Sequence, residues 1–375
     1  RSEGTPNLKV FHPIIAAWSL CGEKLGPDRV KEWIDQISLL GMKPDLDLQV
    51  AYFVAVEKWQ SKLIANLQGN NNDRIDCALV EESADGSSDG DIESLFKAAQ
   101  NCTRYLKEIT SDENRQDIAD LDAFTSMLCY SIKAWSRASE SAHLLPDGSS
   151  LLDTTQGVKE MANILKLIRT SNHIQNTVDV DEALVNAAGK VYTEFISQLC
   201  KLDSTRNENS DNNERCYFAD RIADVESSLR SYEYHSRRLA SDGKLLPESN
   251  DIRHNLYRET LRGCAGVKLS TDFGHMMRIC TLIMDCLSWH HAQTREHGSS
   301  KEAEDVTDVY SDIAIISGTC VKNPYERMNV LRSIYDRASD FFPKKNPHHE
   351  SSYARVDRAA LLGSMRRSLG DSEMT

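Results

Sequence analysis

The sequence predicts an all-α protein, and three observations carry that expectation. Apolar residues recur at spacings of three and four along most of the chain, and no stretch alternates with period two for long enough to make a strand. The joints between the periodic stretches are polar and carry helix-stop residues. With 9 prolines and 18 glycines in 375 residues, the composition also points away from a turn-rich β architecture. Hydrophobic residues at 40% and charged residues at 27% supply enough apolar surface for a core and exclude wholesale disorder.

Taken in order, Val10, Ile14, Ile15, Ala17 and Trp18 form the first helical stripe. Val30, Trp33, Ile34, Ile37 and Leu40 form the second, closed by Gly41 with Pro44 just beyond. Further helical patterns cover Val50–Leu67, Ile92–Ile109, Leu121–Ala138, Gly157–Ile168 and Val180–Leu202. Then come Cys216–Leu239, Asp251–Cys264, Phe273–His291, Val306–Val321 and Pro324–Phe342, with Ala354–Leu369 as one more candidate helix. The predicted organisation is helical repeats over 1–67, 92–202 and 215–342, an acidic polar insert at 68–91, a polar linker at 203–214 and a polar tail at 343–375. Composition reads the two interruptions as loops or disordered inserts.

The chain repeats itself. Val10-Phe11-His12-Pro13-Ile14-Ile15, Val191-Tyr192-Thr193-Glu194-Phe195-Ile196 and Val309-Tyr310-Ser311-Asp312-Ile313-Ala314 share a β-branched residue, an aromatic and two mostly polar positions before apolar ones. Gly41-Met42-Lys43-Pro44-Asp45 closes the first unit. In this opening and close the sequence resembles the pentatricopeptide-repeat family, whose unit of roughly 35 residues is a helical hairpin. A lone hairpin cannot bury its apolar face, so the resemblance implies hairpins stacked into an α-solenoid, as in tetratricopeptide-like folds.

The resemblance also implies function. First helices of the hairpins line a concave surface, and two or three side chains per repeat read bases of single-stranded RNA. The polar residue after the aromatic carries over to His12, Thr193 and Ser311, and the repeat-ending acid to Asp45. Read from the residues alone, Thr193 and Ser311 also suit helix N-termini, Asp45 suits the cap of a helix beginning near Leu48, and His12, ahead of Pro13, suits a cap as well. Arg237, Arg238, Arg253, Arg258, Arg262 and Lys268 form the densest basic stretch, read either as candidate phosphate contacts or as an ordinary solvated face. The five tryptophans read as packing between helices. Organellar RNA processing, stability or translation, in a mitochondrion or chloroplast, is the role the resemblance implies. A protein–protein scaffold, or a structural subunit of a ribonucleoprotein complex, is the alternative on the same fold.

The net charge of -13 runs against nucleic-acid binding. Part of it lies in one acidic run from Glu81 to Glu93, read as a solvated linker. Ten cysteines without a C-x-x-C pair fit free thiols in a reducing compartment. No apolar stretch is long enough to span a bilayer, so no membrane partner is expected. No G-x-S-x-G, phosphate-cradling glycine loop or H-E-x-x-H is present, and His290, His291 and His297 lack a matching ligand constellation. The sequence therefore reads as a non-enzyme that needs no metal or cofactor.

Overall fold

The computed structural model describes residues 7–76, 87–110, 120–142, 154–170, 182–207, 216–241, 248–267, 273–296, 306–342 and 356–369. Among these the secondary structure is all helical, with no strand. The chain divides into two compact units, one of residues 1–177 with 204–209, the other of 178–203 with 210–375.

Unit 1 holds α1 (His12–Leu20), α2 (Gly26–Leu39), α3 (Leu46–Asp76), α4 (Ser87–Ile109), α5 (Leu121–Ala142) and α6 (Thr154–Thr170). Pro13 and Pro27 sit in the first turns of α1 and α2, where a missing N–H costs nothing. Gly41 ends α2 at φ +75°: its N–H donates to Ser38 O at 3.0 Å, and Met42 N–H donates to Ile37 O at 3.1 Å. That is the paired Schellman bonding for which a left-handed glycine is best suited. Helices α1, α3 and α5 pack side by side in that order; α2 bridges α1 and α3, α4 bridges α3 and α5, and α6 covers α5. The buried Gln60 donates to Leu95 O at 3.2 Å and Ala134 O at 3.4 Å, tying three helices together. Trp135, 1% exposed, donates its Nε1–H to Thr103 Oγ1 at 2.8 Å. The amide nitrogen of Gln60 and the indole nitrogen of Trp135 are thereby paired, as buried donors are expected to be.

Unit 2 holds α7 (Glu182–Asn207), α8 (Tyr217–Asp220), α9 (Ile222–Ser241), α10 (Glu248–Gly266), α11 (Phe273–Glu296), α12 (Thr307–Cys320), α13 (Pro324–Ala338) and α14 (Arg358–Leu369). Here too helices pack on their second neighbours: α10 on α12, α12 on α14, and α9 on α11, with α13 against both α12 and α14. Asn323 caps α13, accepting from Tyr325 N–H at 2.9 Å.

Several boundaries differ from expectation. Helix α3 continues through Asp76 and α4 begins at Ser87, so the acidic insert assigned to 68–91 is partly helical; its centre, 77–86, lies outside the described residues. The linker assigned to 203–214 begins as the last turn of α7, and 208–215 lie outside the described residues. The unit boundary falls before α7 rather than after it. A Cβ on Gly189 would lie 2.6 Å from Ile252 Cγ2 and 2.7 Å from Tyr232 Cε2, so α7 is pressed against α9 and α10. Asp203 adds a second tie, accepting Tyr217 N–H at 2.7 Å and Phe218 N–H at 3.0 Å.

Candidate functional site

Three helices of unit 2 line one groove of about 880 Å³. Helix α10 contributes Arg258, Arg262 and Ala265, α12 contributes Asp308, Ser311, Asp312 and Ile315, and α14 contributes Ala360, Gly363 and Arg367. Each set follows the three- and four-residue spacing of a single helix face. The opposite faces are buried: Leu256, Leu261 and Cys264 on α10, Tyr310, Ile313 and Ala314 on α12, Leu361 and Met365 on α14.

Two contacts hold α14 along α12. At one end Asp357 N–H donates to Thr307 Oγ1 at 2.8 Å; at the other Ser368 Oγ donates to Ala314 O at 3.0 Å. A Cβ on Gly318 would lie 2.4 Å from Ser368 Cβ, so glycine permits the approach. Helix starts meet helix starts and ends meet ends, which makes α12 and α14 parallel. Small residues on α14 keep the groove open, and nothing lies within 4 Å of a Cβ built on Gly363.

The groove carries three arginines, Arg258, Arg262 and Arg367, and three carboxylates, Glu259, Asp308 and Asp312. Some are engaged locally: Arg262 lies 3.5 Å from Glu259, and Arg367 donates to Ser364 Oγ at 2.9 Å. Arg258, Ser311 and Asp312 make no side-chain hydrogen bond among the described residues. Burial and the neighbouring charge of Asp308 push the Asp312 carboxyl up from the ordinary aspartate value, against the pull of Arg258.

Of the residues singled out in the sequence, Ser311, Arg258 and Arg262 come together here. The others do not. Arg253, on the far face of α10, is 4% exposed and cannot meet a phosphate in this fold. It lies in a buried cluster around Glu233, which accepts from Tyr257 Oη and from His290 Nε2, the latter at 3.3 Å. Burial pushes His290 down to about 4, and the positive charges of Arg253 and Arg237 add to that, so near neutral pH the neutral imidazole donates to the carboxylate. Burial works to raise Glu233, but the His290 bond and the charge of Arg253 outweigh it and hold the carboxyl low. Arg237 spends its guanidinium on Cys286 Sγ at 3.1 Å and on the Trp289 ring at 5.4 Å. Arg238 is exposed on α9, and Lys268 lies outside the described residues.

Thr193 is in the middle of α7 rather than at its start, and its hydroxyl donates to Gly189 O at 2.8 Å. Ser311 likewise follows one turn of helix and is not a cap. In unit 1, His12 and Asp45 are bonded to each other, Nε2 to Oδ2 at 3.0 Å, while Asp45 Oδ1 accepts Leu48 N–H at 2.9 Å. Asp45 thus caps α3. Sequence reasoning missed Arg367, which falls in the stretch read as a polar tail; the amphipathic pattern of 354–369 was its signal. It also passed over Asp312, whose position directly after Ser311 carries no sign of which way it faces.

Among the described residues no group of His, Cys, Asp and Glu side chains suits a metal ion, and no helix is long and apolar enough to cross a membrane. The class the fold defines is an all-helical protein with a mixed-charge groove across three helices. Comparison of the chain with family models, curated proteins and solved structures returns no match.

Proposed function

We propose that the chain is a single-stranded RNA-binding helical-repeat protein of pentatricopeptide character, its hairpins stacked as an α-solenoid, that serves transcript processing, stability or translation in a mitochondrion or chloroplast. The observation that carries the reading is the meeting of Ser311 with Arg258 and Arg262 in one groove. An open groove with arginines on two walls suits a phosphodiester backbone, and a hydroxyl and carboxylates between them suit base edges. Support for stacked hairpins comes from the second-neighbour packing of α1, α3 and α5, and of α10, α12 and α14. Helices of 17 to 31 residues in the middle of the chain are long for a roughly 35-residue hairpin, so the repeats on this reading are lengthened ones.

Titration of the chain with labelled single-stranded RNA at two salt concentrations tests it. Affinity should fall steeply with salt, and the double substitution Arg258→Ala with Arg262→Ala should flatten that salt slope by about two phosphate contacts. A second reading, a scaffold that binds protein, is favoured by the three carboxylates facing the three arginines and by the net charge of -13. Failure to bind RNA at low salt would leave that reading in its place.

A further inference from the structure

We propose that α9 and α11 together form a docking face for an acidic segment of a partner protein, centred on Arg230 and Arg278. No residue of either helix lines the groove, so the inference goes beyond the RNA reading and does not depend on it.

The face is built on one carboxylate. Glu226 is buried on α9, which packs against α11. Its Oε1 accepts from Arg230 Nε at 3.0 Å and Nη2 at 2.8 Å. Its Oε2 lies 2.7 Å from His275 Nδ1 and 3.3 Å from Arg278 Nε. Burial works to raise this carboxyl, but the bonds from Arg230 and His275 and the charge of Arg278 hold it below the ordinary value. It therefore stays ionised and fixes both guanidiniums from beneath.

The guanidiniums themselves face outward. Arg230 is 54% exposed and Arg278 50%, and Arg278 keeps both Nη groups unbonded among the described residues. Two arginines against one carboxylate leave a positive charge over, before any charge on His275 is counted. Asp224 is engaged with Arg221, Asp285 with Arg337, and Glu233 is buried, so none of these three offsets it. Tyr234 stands one turn on from Arg230, on the same side of α9. It is exposed, meets the His235 ring edge-on at 5.2 Å, and its hydroxyl makes no hydrogen bond among the described residues. Tyr and Arg are the residues over-represented where binding energy concentrates.

Charge decides the occupant. One surplus charge matches one carboxylate, where a phosphodiester backbone brings a row of charges. Guanidinium forks grip a carboxylate through parallel bonds, and these two are already ordered by Glu226, so little side-chain freedom is lost on binding. Tyr234, about 6 Å further along α9, covers an apolar side chain of the same partner. The segment that fits is amphipathic, with an acidic residue about one turn from a large apolar one.

A randomised peptide library displayed on phage would be selected against the full chain and the enriched peptides titrated. They should carry that acidic–apolar spacing, and Arg230→Gln with Arg278→Gln should weaken them about tenfold. Those changes strip Glu226 of its partners, so Tyr234→Ala serves as a second variant. It alters only an exposed ring and should weaken the same peptides severalfold with helical content unchanged. Enrichment without acidic bias, no enrichment, or peptides indifferent to all three substitutions would overturn the docking face. So would a uridine decamer that binds through Arg230 and Arg278 while acidic peptides do not, which would give the face to RNA.

Discussion

Each unit carries a concavity, and the two differ in how far their central charged groups are already paired. In unit 1 a cleft of about 630 Å³ is lined by Lys31, Asp35, Asp45 and Tyr105. There Lys31 bonds Asp35 and lies 5.1 Å over the Tyr105 ring, while Asp45 is spent on His12 and on the start of α3. In unit 2 the groove's Arg258, Ser311 and Asp312 make no side-chain hydrogen bond among the described residues. What separates the two is the pairing of these charged groups and not of every polar one, for Gln49 Oε1 in the unit 1 cleft is buried without a hydrogen-bond partner among the described residues. Side chains already paired have little left to offer a ligand, since binding must first break what they have.

The cores differ in the same sense. The deep polar bonds of unit 1 include the neutral ones of Gln60 and of Trp135 with Thr103. Unit 2 buries Glu233, 2% exposed, with Arg253 and His290. A charge in that position is tolerable only while its partners remain.

The largest effects should come from those cores. Trp135→Ala removes a fully buried indole and should cost about 3–5 kcal/mol in urea denaturation, with the loss in the transition of unit 1. Glu233→Gln removes the buried carboxylate on which Arg253 and His290 act and should cost a comparable ~3 kcal/mol, now in unit 2. Equal loss across both transitions would dissolve the distinction between the units.

Acidification sharpens the contrast next. The folded pKa of His290 is depressed to about 4 from the ordinary 6.5, so the unfolded chain takes up a proton first. Stability from this group is fully present above pH 6.5 and is lost as pH falls from there toward 4. Glu233, whose folded pKa is also held down, loses its contribution in the same direction at lower pH. The combined loss should be on the order of 2 kcal/mol and greater in unit 2, read from denaturation at pH 7 and pH 4.5; a larger loss in unit 1 would contradict the buried cluster as its cause.

Smaller effects concern the groove. Gly318→Ala forces a methyl against Ser368 and should cost about 1–3 kcal/mol, felt first as faster amide exchange in 358–369. RNA affinity should fall with it as Arg367 moves away. His12→Ala should cost less than about 1 kcal/mol, because the His12–Asp45 pair is some 40% exposed on each side. It should leave RNA affinity unchanged. A clear loss there would mean that the paired cleft of unit 1 binds after all.

Much of the helical fold was legible in advance because it rests on local signals. The stripe Val30, Ile34, Ile37 and the stop at Gly41 place α2 without reference to anything distant. Asp45 as the cap of α3 was legible in the same way, through its spacing to Leu48. Composition misled where it stood in for structure: the Asn-rich stretch after Leu67 is poor in intrinsic helix formers, yet α3 runs on through Asp76. Repeat position misled at Thr193, because α7 starts eleven residues before it, at Glu182, and so places in mid-helix a residue expected near a helix start.

What the sequence by itself determined is the period of each helix, its stops and caps, and hence which residues share a face. Arg253 and Arg258 show the limit. Five residues apart on α10, they lie about 140° apart around the helix, so the sequence alone puts them on different sides. It does not say which side is inside. That was decided by Glu233 and His290, which α9 and α11 bring to Arg253, and by Asp312, which α12 brings to Arg258. Burial and pairing are properties of neighbours, and those of α10 lie on other helices, the flanking α9 and α11 and the next but one, α12.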